Sequence, residues 1–202
     1  LSSAIYEGAL VPFDTALKIE ARQFTSVLMN PSSSNMIRSL FINKGALEKG
    51  AARPSEVSDQ SVRKLGIIGA GMMGAGIALV SAEAGINVVL LDQVQKSADK
   101  GKDYVAAYCN KGIARKKTTS EQKDALLARI NTTSDYHALS DCDLIIEAVF
   151  EDPNVKAEVI RSVEAVIRED CIFATNTSTL PISGLAKASI RPEQFIGIHF
   201  FS

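Results

Sequence analysis

From Val62 onward the chain alternates short, nearly unbroken apolar runs with longer mixed segments. "KLGIIGA", "INVVLLD", "CDLIIEAVF", "CIFATNT" and "FIGIHFF" read as strands whose two faces are both covered, because a half-exposed strand would alternate apolar with polar. "INTT" reads as a weaker strand of the same set. Between them "MMGAGIALVSAEAG" predicts a helix stopped by Gly85, and Gln93 to Lys116 predicts a long helical stretch with a polar face. Ser120 to Arg129 and "NVKAEVIRSVEAVI" read as further helices, and "PISGLAKA" as a short one. Strand and helix in alternation predict the α/β class, with a doubly wound, mostly parallel sheet.

Residues 1–60 follow a different pattern, with helical punctuation and no strand alternation. In "PFDTALKIEARQFTSVLM" Asp14 is placed as an N-cap, with Leu17, Ile19, Phe24 and Leu28 following at helical spacings. "NPSSSN" breaks the pattern, and "MIRSLFINKGALEKG" reads as a second helix ending in a glycine. "AARPSEVSDQS" is polar with a proline, the composition of a linker. The expected organisation is therefore a helical segment over 1–60, linker included, and an α/β domain over 61–202.

Composition narrows the function. Hydrophobic residues make up 46% of the 202 positions and charged residues 22%, with a formal net charge of −1. That balance argues against affinity built on broad phosphate neutralisation, so no nucleic-acid partner is expected. "ARKK" at Ala114 to Lys117 reads as a solvated helix end. No apolar run approaches the length of a membrane span. The three cysteines, Cys109, Cys142 and Cys171, lack CxxC spacing, which points to reduced thiols in a cytosol-like compartment and to no metal site. The opening "LSSAIYEG" lacks the features of a signal peptide, and the chain ends on "IGIHFFS". Both ends suggest a piece of a longer chain.

The strongest local signal is "GAGMMG", Gly69 to Gly74. Gly69 permits a tight strand-to-helix turn, Gly71 leaves room for a pyrophosphate against the backbone, and Gly74 lets the helix pack on the strand. Met72 and Met73 open that helix, whose first N–H groups carry a partial positive charge toward an anion. A second strand ends at Asp92, about 20 residues on, where a carboxylate can accept both ribose hydroxyls of an adenosine and repel a 2′-phosphate. Strand, glycine loop, helix, strand and acid in this order predict a Rossmann dinucleotide site that takes NAD rather than NADP. A ligand-free packing turn is the alternative.

Ligands of an open parallel sheet sit beyond the carboxyl ends of its strands. Three further strand ends offer "EAVFED", with Glu147 and Glu151, "NTST", from Asn176 to Thr179, and "HFFS" with His199. Taken singly, the two acids fit the first turn of the next helix, "NTST" fits a capping turn, and His199 fits a core histidine. Their joint placement on one sheet edge favours a site.

Together "GIIGAGMMGAGIA", "LIIEAVFED", "ATNTSTLPI" and "IGIHFFS" resemble the L-3-hydroxyacyl-CoA dehydrogenases over residues 62–202. The stretches "VPFDTALKIEARQF" and "NMIRSLFINKGALEKGAARP" resemble the tail of the enoyl-CoA hydratase domain and the linker after it, as in multifunctional fatty-acid oxidation enzymes of the bacterial alpha-subunit type or their peroxisomal relatives. The resemblance implies NAD-dependent oxidation of a 3-hydroxyacyl-CoA to the 3-ketoacyl-CoA. It implies Asp92 on the adenosine ribose, Glu151 and Lys156 along the nicotinamide ribose, Asn176 and Ser178 near the nicotinamide and the substrate hydroxyl, and His199 as the base. An imidazole titrates near neutral pH, so it can take the hydroxyl proton and return it in reduction. In the family the chain runs on past "HFF" to a Glu that pairs with the histidine and to a helical domain bearing acyl-CoA contacts and a dimer interface; a thiolase subunit is a further possible partner. Ser202 stands where many relatives carry Asn. The implied location is the cytoplasm of a bacterium, or the peroxisome of a eukaryote.

Two other readings stay open. The 6-phosphogluconate-like 3-hydroxyacid dehydrogenases also carry a Met in the glycine loop, although "HFF" after "NTST" speaks against them. A binding or structural protein can also reuse the fold, as lens crystallins of this family do.

Overall fold

The computed structural model describes residues 1–56 and 61–201. The chain divides into two compact units, residues 1–59 and 60–202. The end of the expected linker and the departure at Ser202 lie outside the described residues.

The first unit is helical: α1 (Ser2–Gly8), α2 (Phe13–Leu28), α3 (Pro31–Ile37), a π-helical turn (Arg38–Asn43) and α4 (Lys44–Glu48). One expectation is corrected here and another narrowed. Asp14 lies inside the first turn of α2, whose N-cap is Pro12; there its charge meets the helix N-terminus without capping it. "NPSSSN" does mark a break, α2 ending at Leu28 and α3 starting at Pro31, but the break takes only Met29 and Asn30, and the rest of the stretch is the start of α3. Asn30 caps α3 by accepting the Ser32 N–H at 2.9 Å, and Pro31 takes the first helical position, where its missing N–H costs nothing. None of the described residues of these helices is buried, so this unit has no apolar core of its own.

The second unit is a six-stranded, all-parallel sheet in the order β3-β2-β1-β4-β5-β6. Its strands are β1 (Lys64–Ile68), β2 (Asn87–Leu91), β3 (Ile130–Thr133), β4 (Leu144–Glu147), β5 (Ile172–Thr175) and β6 (Phe195–Gly197). Helix α5 (Met72–Glu83) joins β1 to β2, α6 (Gln95–Ala114) and α7 (Ser120–Ala128) join β2 to β3, α8 (Pro153–Glu164) joins β4 to β5, and α9 (Ile182–Leu185) follows β5. The fold is therefore the doubly wound α/β sheet expected, with the strand order reversing between β1 and β4.

Side chains alternate across each strand, so the sheet buries two cores. Leu65 and Ile67 join Ala75, Ile77, Ala78 and Val105 on the α5–α6 face. Ile68 and Ile145 join Val159, Ile160, Val163 and Phe173 on the α8 face. A short 3₁₀ turn (Tyr136–Leu139) that the apolar pattern did not predict places Leu139 in this second core. It fits because β1 is thinned at Gly66, where an added Cβ would lie 2.7 Å from the Leu139 Cδ2 and 2.6 Å from the Ile145 Cδ1.

The strands are shorter than their apolar runs. "FIGIHFF" pairs as strand only over Phe195–Gly197. Beyond it the Ile198 N–H still reaches the Thr175 carbonyl at 3.0 Å. The partner strand then turns away, and the Asn176 side chain takes over as acceptor for the Phe200 N–H at 2.8 Å. His199 thus sits on an irregular segment held by one side chain.

Candidate functional site

The glycine loop is shaped by three contacts. Gly69 has φ +96°, and a Cβ there would lie 2.7 Å from the Ala148 carbonyl oxygen, so the loop rests directly on the backbone leaving β4. A Cβ on Gly74 would lie 1.8 Å from the Gly69 carbonyl oxygen, which excludes any side chain at that position. Gly71 is exposed, with open space where its Cβ would be. Its glycine is not required by protein packing, which fits a surface left clear for a ligand to approach the backbone. The twelve-residue helix α5 starts immediately after it, at Met72, with its N-terminal N–H groups and positive dipole end at that opening.

Asp92 stands beside this loop. One carboxylate oxygen accepts the Ala70 N–H at 2.8 Å and the other accepts the Gln93 N–H at 2.8 Å. It therefore braces the glycine loop, and each oxygen keeps a second lone pair for a donor such as a ribose hydroxyl. Glycine cradle, helix end and half-buried carboxylate together fit the adenosine and pyrophosphate of a dinucleotide.

The other half of the sheet edge forms a cleft of about 350 Å³. Of the residues expected from the sequence, Met73, Glu151, Lys156, Asn176, Ser178 and His199 line it, joined by Phe200 and Phe201. Met72 does not line it; its side chain is exposed at the first turn of α5. The glycines and Asp92 do not line it either; they form the loop just described. A larger cavity of about 620 Å³ lies among Glu83, Lys111, Arg115 and Lys123. It sits at the opposite end of α5 from the glycine loop, away from the carboxyl ends of the strands, so it is no part of this site.

Each polar residue of the cleft is held by a neighbour. Glu151 gathers the "NTST" turn: its Oε1 accepts the Thr177 hydroxyl and the N–H groups of Ser178 (3.0 Å) and Thr179 (3.2 Å). Partial burial opposes the charge on Glu151, but these bonds and the Lys156 ammonium outweigh it and hold its carboxyl down at about 2. Ser178 itself is exposed to the cleft. The His199 ring is exposed and meets Phe201 edge-on at 4.8 Å.

Beneath the cleft lies an ion cluster that sequence reasoning resolved only in part. Lys156 is 1% exposed, and its ammonium reaches Glu147 at 2.7 Å and Glu151 at 3.2 Å. Glu147 is fully buried; besides Lys156 it accepts the Val149 N–H at 2.7 Å and the Thr175 hydroxyl at 2.8 Å. The sequence left Glu147 between ligand and first-turn acid. It is neither, since it points inward from the last position of β4. The signal available was an acid closing an apolar strand, nine residues before a lysine on the next helix.

The family model of the 3-hydroxyacyl-CoA dehydrogenase NAD binding domain matches residues 64–202. Fatty acid oxidation complex subunits alpha are similar over the whole chain: 34% identity over 200 residues for that of Psychrobacter arcticus, covering 99% of this chain, and 37% over 202 residues for that of Acinetobacter baumannii, covering 100%. The chain spans 28% of the length of each of these relatives. Among solved structures, (S)-3-hydroxybutyryl-CoA dehydrogenase from Ralstonia eutropha superposes with a TM-score of 0.68 at 38% identity, covering 70% of this chain and 50% of that one. The dehydrogenase part of multifunctional enzyme 1 from C. elegans gives 0.66 at 31%, covering 73% and 34%.

Proposed function

The chain belongs to the 3-hydroxyacyl-CoA dehydrogenase family through its NAD-binding domain, and from that membership we propose that it is the cofactor-binding part of an enzyme that oxidises 3-hydroxyacyl-CoA to 3-ketoacyl-CoA in fatty-acid β-oxidation. The observation that carries this reading is the cleft that brings Ser178, Asn176 and His199 together beside the glycine-loop helix. Bound NAD supplies the hydride acceptor. Asp92 takes the adenosine ribose, the α5 N-terminus and Gly71 take the pyrophosphate, and Glu151 and Lys156 flank the nicotinamide ribose. The Ser178 hydroxyl hydrogen-bonds the substrate's 3-oxygen and orients it. His199 Nε2 or Nδ1 takes the hydroxyl proton as C3 is oxidised, and returns it in the reverse direction.

Residues 1–60 are read as the end of a hydratase domain and its linker, so the whole enzyme carries hydratase and dehydrogenase on one chain. A thiolase subunit or a second copy is the partner expected of such an enzyme, in the cytoplasm of a bacterium or the peroxisome of a eukaryote.

Fluorescence titration of the 202-residue chain with NADH and NADPH tests the cofactor assignment. Saturable NADH binding, weaker NADPH binding, and loss of both on Gly71→Val are expected. Absence of binding at millimolar NADH, with the fold intact by circular dichroism, would overturn it. Catalysis is tested in the longer enzyme by acetoacetyl-CoA reduction, where His199→Gln is expected to cost about 10²–10⁴ in rate.

A further inference from the structure

Glu147 is the one ionisable group beneath the cleft to which no role in binding or chemistry has been given. Its environment is unusual. A carboxylate with no exposure closes β4, and its two oxygens accept three donors: the Lys156 ammonium, the Thr175 hydroxyl and the Val149 N–H. Two of the three, the ammonium and the N–H, can only donate. Its lysine partner is equally buried, yet lines the cleft and reaches Glu151. Glu151 is 34% exposed on the cleft wall. One cation therefore stands between two anions, and the cluster carries a net charge of −1.

A lone Lys156–Glu151 pair would balance the ammonium's charge and leave the cleft wall neutral. Glu147 is thus not needed to neutralise Lys156. What it adds is a negative charge with no exposure to water, and such a charge is poorly screened. We infer that Glu147 is a positioning residue that fixes Lys156 at the cleft wall and, through the net negative charge of the Glu147–Lys156–Glu151 cluster, favours the cationic, oxidised nicotinamide over the neutral, reduced one. This rests on the reading of the cleft as the nicotinamide side of an NAD site. In that role Glu147 touches neither cofactor nor substrate; it acts through Lys156 and the field.

The test is the ratio of dissociation constants for NAD⁺ and NADH, measured by calorimetry and fluorescence on the 202-residue chain. Loss of packing alone weakens both forms together and leaves the ratio where it was. Glu147→Gln keeps the shape and an acceptor for Lys156 but takes the cluster from −1 to zero. It is expected to weaken NAD⁺ relative to NADH on the order of tenfold, the effect of one unit charge across a cleft at an effective dielectric of about 20. The double variant Glu147→Gln with Lys156→Met removes the buried pair as a unit and returns the cluster to −1, so its ratio is expected to fall within about twofold of the parent chain. A folded Glu147→Gln chain with an unchanged ratio overturns the inference while leaving the cofactor assignment intact. Should Glu147→Gln alone not fold, the double variant is compared with Lys156→Met: the two differ only in the charge at position 147, so the double variant is expected to favour NAD⁺ over NADH about tenfold less, and equal ratios overturn the inference. Failure of the parent chain to bind either form overturns both the cofactor assignment and this inference.

Discussion

The Asn176 side-chain oxygen accepts the Phe200 N–H at 2.8 Å, tying the end of β5 to the segment that carries His199. The regular ladder has ended by then, with the Ile198 N–H on the Thr175 carbonyl. One amide side chain thus holds the proposed base against the proposed cofactor side. Asn176→Ala is expected to lower the protection of the Phe200 amide by about fivefold in hydrogen exchange, the equivalent of one hydrogen bond of about 1 kcal/mol. Amides of β1 and β4 are expected to stay unchanged.

Two glycines of one loop are expected to respond in opposite ways. Gly74→Ala places a Cβ 1.8 Å from the Gly69 carbonyl oxygen, so the loop or helix has to move, at a cost of more than about 2 kcal/mol. Gly71→Ala meets nothing within 4 Å, and its φ of −67° suits alanine. Gly71 is the N-cap of α5, where alanine is poorer than glycine, so stability is expected to fall by no more than about 0.5–1 kcal/mol, while NADH affinity falls at least tenfold. Thermal melts and NADH titration of the two variants separate the packing glycine from the binding glycine.

Acid is expected to act through Glu151. Its carboxyl is held at about 2, below its ordinary 4.5. The stabilisation is therefore complete above about pH 4.5 and is lost as pH falls toward 2. With the side chain about a third exposed, solvent screening reduces the contribution to about 1–2 kcal/mol. Urea unfolding of the parent chain and Glu151→Gln is expected to show a stability gap at pH 6 that narrows by roughly half of that amount at pH 3, the rest going only as pH falls to 2.

The thiols are expected to be silent in the native state. Cys109, Cys142 and Cys171 are all buried and unpaired with one another. Burial pushes Cys142 up to about 12 and Cys171 to about 11, so little thiolate exists near neutrality. Ellman's reagent at pH 8 is expected to react with none of the three until denaturant is added, and then with all of them.

The sheet, its parallel sense and the glycine loop were legible because each rests on local pattern: unbroken apolar runs, glycine spacing, and an acid at a strand end. What was not legible depends on partners distant in sequence. Glu147 looks like any acid before a helix until Lys156 and Thr175 close around it. The last strand looked seven residues long because its apolar run is, but β5 turns away after Thr175 and leaves nothing to pair with. The turn at Tyr136–Leu139 is shaped by the space at Gly66, some 70 residues earlier, and no periodicity encodes that. In the first unit "NPSSSN" breaks the pattern as its composition says, between Leu28 and Pro31, but the same residues are good at starting helices, so most of the stretch is helical.

The central strand of this sheet has a consequence for synthesis. β1 pairs on one side with β2, which follows within about 20 residues, and on the other with β4, whose first residue is Leu144. A nascent chain growing at roughly 5–20 residues per second therefore carries β1 for several seconds with one apolar edge unpaired. Until translation delivers β4, "LGII" is a ready template for a neighbouring chain, and the ribosome-bound intermediate is the stage at which this domain most needs a chaperone.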